Sequence, residues 1–217
     1  DLSQDLNYNV MFSPRGVLML CQTEHELRAF KRTAHANRLA GLDCRMVSPA
    51  EVKEIVPIIN DDSNCRYPVL GAYYQPRGGT ARHDAVAWGY ARGADALGVD
   101  IIQNCEVTGI TREGGKVVGL ETSRGSIKTK KVGVVTAGNV STLMQTAGVR
   151  MPIESLCLQA LVSEPIKPVI DCVVMANTVH GYISQSDKGE LVIGGGTDPY
   201  NNYSQRGSFP SLEHTVT

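Results

Sequence analysis

From residue 84 to residue 147 the sequence runs through a slim helix, a strand, a hairpin, a second strand and another helix; after Pro152 it turns to strands alone. That order admits few architectures. Helices alternating with strands must cover a sheet, and a following run of strands must build a second one, so two intertwined modules are predicted. In the helix of 84–97, Val86, Tyr90, Ala94 and Leu97 recur at helical spacing and predict one buried face. Ala85, Ala87, Gly89 and Ala91 keep the remainder slim enough for a neighbour to come close. Strands are predicted over 98–102, 106–110 and 116–122, with turns at Gly114-Gly115 and Arg124-Gly125. The apolar run 131–136 predicts a buried strand, and a helix from Ser141 to Ala147 follows it. Further strands are predicted over 156–163, 172–175, 180–184 and 190–194.

Upstream, 9–21 reads as two strands about a turn at Pro14-Arg15-Gly16. Thr23 with Glu26 three residues on is a capping box, so a helix starts there, carries Leu27, Phe30 and Ala34 inward, and ends at Gly41. Ser48-Pro49-Ala50-Glu51 opens a second helix with Val52, Ile55 and Val56 on its apolar face. The stretch 60–74 has no period and reads as a loop. The final Glu213-His214-Thr215-Val216-Thr217 looks like the opening turn of a helix, and Asp1 stands where an initiator methionine would; both predict a fragment of a longer protein.

Composition narrows the function classes. A net charge of −1 gives no electrostatic reason to expect nucleic acid or an anionic membrane as partner. No apolar run approaches the roughly 20 residues that span a bilayer, and the polar, acidic start is unlike a secretory signal. The six cysteines are scattered, without C-x-x-C or zinc spacing, so no metal site is expected and reduced thiols in a cytoplasmic protein are.

The stretch richest in chemistry is Gly78-Gly79-Thr80-Ala81-Arg82-His83-Asp84. A glycine pair permits a tight turn and close backbone approach, and a helix start favours an anion such as phosphate. His83 in that setting is open to four readings: catalyst, ligand, covalent attachment point or solvated surface residue.

The segments 98–102, 106–110 and Val134-Val135-Thr136-Ala137-Gly138 resemble the FAD-dependent amine oxidases of the D-amino-acid-oxidase type. Three further stretches, 7–13, 80–92 and 180–194, resemble the beta-subunit branch of the heterotetrameric sarcosine oxidases, and the likeness runs over essentially all 217 residues. The resemblance implies an α/β to α+β fold: part of a Rossmann-like FAD-binding module interleaved with a β-sheet substrate-binding module. It implies substrate-module strands and helices over 1–75, an FAD-module portion with an FMN-attachment helix over 76–150, and a substrate-module sheet over 151–217. In that family the residue matching Val107 touches the adenine end of a noncovalent FAD through its backbone. The pair matching Ala137 and Gly138 passes beneath the cofactor. His83 matches the histidine that carries a second flavin, FMN, through a ring nitrogen. A neutral imidazole can attack the 8α position of an oxidised flavin, with Asp84 or a backbone carbonyl fixing the tautomer. Arg82 is the candidate for the FMN phosphate.

The implied reaction is oxidation of sarcosine to glycine in the cytoplasm. Formaldehyde or methylene-tetrahydrofolate and hydrogen peroxide are the other products, with tetrahydrofolate and oxygen as co-substrates. Alpha, gamma and delta subunits are the implied partners. The family's G-x-G-x-x-G unit and its C-terminal flavin-contacting segment are both absent, so the chain reads as a central piece and FAD binding by the piece alone is expected to be weak or absent. The rival readings are a single-flavin amine or amino-acid oxidase or dehydrogenase, and a non-catalytic module. Elsewhere, His180 reads as a core or surface histidine ahead of a substrate contact, and Tyr73 and Tyr74 as cavity lining or packing. Gly194-Gly195-Gly196 reads as a strand end under tight backbone approach, His25 and His35 as solvated, and Lys128, Lys130 and Lys131 as a solvated strand face.

Overall fold

In the computed structural model, which describes residues 1–201, 203 and 207–217, the chain divides into two compact units. One comprises Asp1–Ala94, Leu158–Gly196 and Ser208–Thr217, the other Asp95–Cys157 and Thr197–Gly207.

The larger unit is built on a seven-stranded sheet. After α1 (Leu2–Asp5) come β1 (Phe12–Ser13), β2 (Val17–Cys21), α2 (Glu24–Leu39), β3 (Arg45–Val47), α3 (Pro49–Ile55), β4 (Gly71–Gln75), β5 (Thr80–Ala81) and α4 (His83–Ala96). The smaller unit holds β6 (Val107–Glu113), β7 (Lys116–Thr122), β8 (Gly125–Lys128), a 3-10 turn at Ala137–Asn139 and α5 (Val140–Thr146). Then follow β9 (Leu156–Pro165), β10 (Val173–Ala176), β11 (Gly181–Gln185), β12 (Glu190–Asn201) and α6 (Phe209–Val216). The large sheet has the order β3-β4-β2-β10-β11-β12-β9, with β2 and β10 parallel; β1 and β5 form a separate pair.

Strand alternation divides the core between the two faces of the sheet. Leu18, Leu20, Val47 and Ala72 join Val52 and Val56 of the α3 region in one cluster, while Tyr73 joins Ala34 of α2, with Met19, Met46 and Phe30 around it. Both helices start as predicted. The Thr23 hydroxyl accepts from the Glu26 N–H and the Ser48 hydroxyl from the Glu51 N–H, each with the glutamate side chain reaching back. The Ser48 N–H and, after it, Arg45 hold the Glu51 carboxylate down to about 2. Burial pushes the Cys21 and Cys172 thiols up to about 11, so both are unreactive at neutral pH.

The edge between β11 and β12 is anchored by a side chain with no obvious signature. Gln185 is buried, and its Oε1 accepts from Val169 N at 2.8 Å and Ile170 N at 3.3 Å. Its Nε2 donates to the carbonyls of Lys167 at 3.0 Å and Gly189 at 2.9 Å. Arg15 reaches the Gln185 carbonyl at 2.6 Å and also pairs with Asp187. Truncation of Gln185 strands several backbone groups at once, so Gln185→Leu is expected to lower unfolding free energy by about 2–3 kcal/mol in a chemical denaturation series.

Several expectations are corrected. The stretch 60–74 is not all loop: Gly71–Gln75 is β4, hydrogen-bonded between β3 and β2. Covered on both faces, it carries none of the polar alternation that reveals a half-exposed strand. Tyr73 and Tyr74 lie in or against the two core clusters, so they pack. The stretches 98–102 and 131–136 belong to no ladder among the described residues, and Val135 is 94% exposed. Their apolar content suits strands, but a strand exists only by pairing. The run 213–217 is the close of α6, whose cap is Ser208. Gly194-Gly195-Gly196 lies within β12 and not at its end.

In the smaller unit, β6, β7 and β8 form an antiparallel meander turned at Gly114-Gly115 as predicted. Helix α5 fastens to β6 where Ile110 N donates to Thr146 Oγ1 at 3.1 Å, and Arg112 caps the helix end at the Ala147 carbonyl.

Candidate functional site

The path into His83 is set by a close backbone contact. The chain leaves β4, turns at Pro76-Arg77 and passes Ser13 at Gly79. A Cβ built on Gly79 would lie 1.9 Å from the Ser13 carbonyl oxygen and 3.0 Å from Arg15 N, so no other residue type fits there. Gly16 N donates to the Gly78 carbonyl at 2.8 Å. Immediately afterwards Thr80 and Ala81 pair with Ser13 and Phe12, and His83 is the first residue of α4, with its side chain exposed.

The neighbours of His83 are engaged with each other. Arg82 holds Asp84 through two contacts, Nε at 3.1 Å and Nη2 at 2.6 Å, and Ala85 N donates to the same carboxylate at 2.9 Å. The Arg82 guanidinium keeps the Asp84 carboxyl below its ordinary range. A negative charge in the first turn also suits the helix dipole. Asp84 is therefore occupied with Arg82 and Ala85.

Helix α4 packs by its small side. Ala85 and Gly89 are buried, and the missing Cβ atoms of Gly89 and Gly93 face Leu6 at 3.1–3.2 Å, with Tyr8 at 3.2 Å from Gly89. The apolar face expected at Val86, Tyr90, Ala94 and Leu97 is not the packed one: Tyr90 is 56% and Leu97 86% exposed. A stripe of Ala and Gly lets the segment Leu6–Val10 approach the helix backbone, and this close contact outweighs burial of the larger side chains.

The other three predicted site residues share the smaller unit. Val107 opens β6, half-buried and paired with Thr122. Ala137 has φ +44°, a left-handed conformation that ends the extended run and starts the 3-10 turn. Gly138 is exposed, and a Cβ there would meet only Ser155 Oγ at 3.7 Å. Bare main chain at this turn fits a flat, phosphate-bearing cofactor laid against it. The structure thus brings Val107, Ala137 and Gly138 into one unit, and His83 and Arg82 into the other. Among the described residues no group of three His, Cys, Asp or Glu side chains is placed to hold a metal ion. Among the described residues no helix is long and apolar enough to cross a membrane.

The histidine and the glycine run noted in the sequence meet at β11 and β12, with His180 in the turn just before β11. His180, Tyr182 and Gly195 line two cavities of about 270 and 690 Å³. The signal for them was the glycine run opposite Tyr182, whose ring occupies the space that a Gly194 side chain would need.

Over 215 residues the chain is 65% identical to sarcosine oxidase subunit beta of Rhodobacter capsulatus, covering 99% of this chain and 52% of that protein. It is 51% identical over 215 residues to sarcosine oxidase subunit beta of an Arthrobacter species, covering 99% and 53%. The chain thus spans about half the length of the curated relatives it matches. Among solved structures, L-proline dehydrogenase from P. horikoshii superposes with a TM-score of 0.83 at 26% identity, over 99% of this chain and 57% of that one. Glycine oxidase from Bacillus cereus superposes at 0.71 and 19% identity, over 99% and 57%, a likeness that speaks for the fold alone. The family model for FAD dependent oxidoreductases matches residues 1–216, and the chain belongs to that family.

Proposed function

We propose that the protein of which this chain forms part oxidises sarcosine in the cytoplasm, as the beta subunit of a complex with alpha, gamma and delta subunits. The observation that carries this reading is an exposed histidine opening α4 behind a locked glycine turn, in a chain 65% identical to a sarcosine oxidase subunit beta. Sarcosine, oxygen and water give glycine, formaldehyde and hydrogen peroxide; with tetrahydrofolate the one-carbon unit leaves as methylene-tetrahydrofolate. When bound, FAD supplies the two-electron oxidation of the amine and FMN the passage of those electrons to oxygen.

The roles of the chain's own residues are those that the family resemblance implies for the matching positions. Val107 and the bare backbone of Ala137 and Gly138 bind the noncovalent FAD, the first at its adenine end and the pair beneath it. His83 holds the FMN covalently through a ring nitrogen, so the position of the second flavin does not depend on affinity. Arg82 offers a guanidinium to the FMN phosphate while Asp84 keeps it oriented.

The test uses the full-length protein purified with its partner subunits. Sarcosine added without oxygen is expected to bleach the visible flavin absorbance, and admission of air to restore it with one hydrogen peroxide per sarcosine. Absence of bleaching overturns the assignment.

A further inference from the structure

Helix α2 bears charge of one sign on its outer side. The stretch 27–42 holds four cations, Arg28, Lys31, Arg32 and Arg38, and no carboxylate, in a chain whose net charge is −1. With His35 between them they follow one another at three- and four-residue steps, so they share one face. All of them are exposed. Neighbours at that spacing have Cβ atoms about 5–6 Å apart, and the stripe from Arg28 to Arg38 is about 15 Å long. The inner face is the packed one, where Phe30 stacks on Tyr73 with ring centroids 6.0 Å apart and Ala34 is buried.

Nothing within the protein neutralises this stripe. Among the described residues none of the four cations has an ion-pair partner. Glu24 stands four residues before Arg28 and makes no pair with it. The Glu26 carboxylate is taken up by the N–H groups of Gln22 and Thr23. Like charges three and four residues apart weaken a helix, so the pattern works against the element that bears it.

The stripe borders a hollow. Between α2 and β3 lies a cavity of about 430 Å³, lined by Lys31, His35, Arg38 and Arg45 with Ala34 and Met46 as its apolar part. Arg45 is fixed there, its Nη1 2.5 Å from Glu51 Oε1 and its guanidinium 5.7 Å from the centre of the Tyr74 ring. Past Arg38 the helix ends in Leu39, 89% exposed and four residues after His35 on the same face. An apolar side chain beside a rim of charge matches the build of a protein interface. A bilayer would need a whole apolar face, whereas Phe30 is stacked on Tyr73 and Leu27 lies against Gly71.

We propose that the outer face of α2 and the hollow beside β3 form a docking surface for an acidic segment of a partner subunit. Its carboxylates pair with Arg28, Lys31, Arg32 and Arg38, and an apolar side chain sits against Leu39. The inference rests on the multi-subunit assembly proposed above. Complementary charge steers encounter and fixes register, and contacts between exposed charges weaken as salt rises.

The test uses the full-length protein co-expressed with its partner subunits. A zero-length carbodiimide joins an amine to a carboxylate only where the two touch. It is expected to link Lys31 to an aspartate or glutamate of a partner chain, read by mass spectrometry as a cross-linked peptide. The triple variant Lys31→Glu/Arg32→Glu/Arg38→Glu is expected to bind that partner about a hundredfold more weakly and to lose it on gel filtration at about 0.15 M ionic strength. Its circular dichroism is expected to match wild type, because the replaced side chains are exposed and unpaired. The control Lys128→Glu/Lys130→Glu/Lys131→Glu makes the same change in net charge at exposed lysines of the smaller unit and is expected to keep every partner. Partners held equally by both variants overturn the inference, as do partners lost equally from both. A Lys31 that cross-links to no partner chain overturns it too, as does capture of these residues by anionic vesicles or RNA in place of a partner. A protein that purifies with no partner chain overturns this inference and the assembly reading together, whereas partners that stay on the α2 variant overturn this inference alone.

Discussion

Replacing His83 with alanine is expected to abolish covalently held flavin completely while extractable FAD remains. The reason is local. His83 is an exposed first residue of α4, and its neighbour Asp84 is already engaged by Arg82 and Ala85, so the imidazole is the ring nitrogen this segment offers to a flavin. Alanine is a strong helix former, and the side chain it replaces packs against nothing that holds the fold, so melting temperature is expected to move by no more than about a degree. Denatured wild-type complex should retain yellow fluorescence on the beta chain in a gel, and the variant should not. Retention of the flavin by the variant would place the bond on another residue. A wild type without any attached flavin would favour a single-flavin enzyme.

The second large effect is expected at Gly79. An alanine there would place its Cβ 1.9 Å from the Ser13 carbonyl oxygen, 2.9 Å from the carbonyl carbon and 3.0 Å from Arg15 N. These are main-chain atoms, so no side chain can swing aside. The two strands must separate, breaking the pairing of Phe12 with Ala81 and of Ser13 with Thr80. A cost of about 3–5 kcal/mol follows, more than an ordinary overpacked core site. Because the displaced segment leads directly into α4, covalent flavin incorporation should fall along with stability. Gly98→Ala is the control for a generic loss of glycine: its φ of +84° costs backbone strain, but nothing lies within 4 Å of the added atom. A Gly79→Ala protein as stable as the Gly98→Ala protein would show that the turn has room to open.

The features legible in the sequence were those governed by near neighbours. Thr23 with Glu26 and Ser48 with Glu51 announce their helices because capping is a matter of three residues, and Gly114-Gly115 announces a hairpin for the same reason. Strand β4 was hidden because Gly71–Gln75 is covered on both faces, and its apolar run carries no period. The packed face of α4 was misjudged because periodicity ranks residues by size, whereas the contact with Leu6 and Tyr8 rewards their absence of size at Gly89 and Gly93. Gln185 left no trace at all: its partners lie at 166–170 and at Gly189, and only the fold brings those carbonyls and amides to one amide group. In the candidate site, His83 stood out through its glycine turn and its resemblance, while the left-handed backbone of His180 is a dihedral angle that no linear pattern encodes.

The outward turn of α4 has an optical consequence. Trp88 is the only tryptophan in the chain and is 51% exposed on this helix. It lies five residues after His83, a rise of about 7–8 Å along the axis. Tryptophan emission overlaps flavin absorption, so a flavin joined to His83 would sit well inside energy-transfer range of this one fluorophore. Emission from Trp88 is thus expected to fall when a flavin is joined to His83 and to recover in the His83→Ala variant.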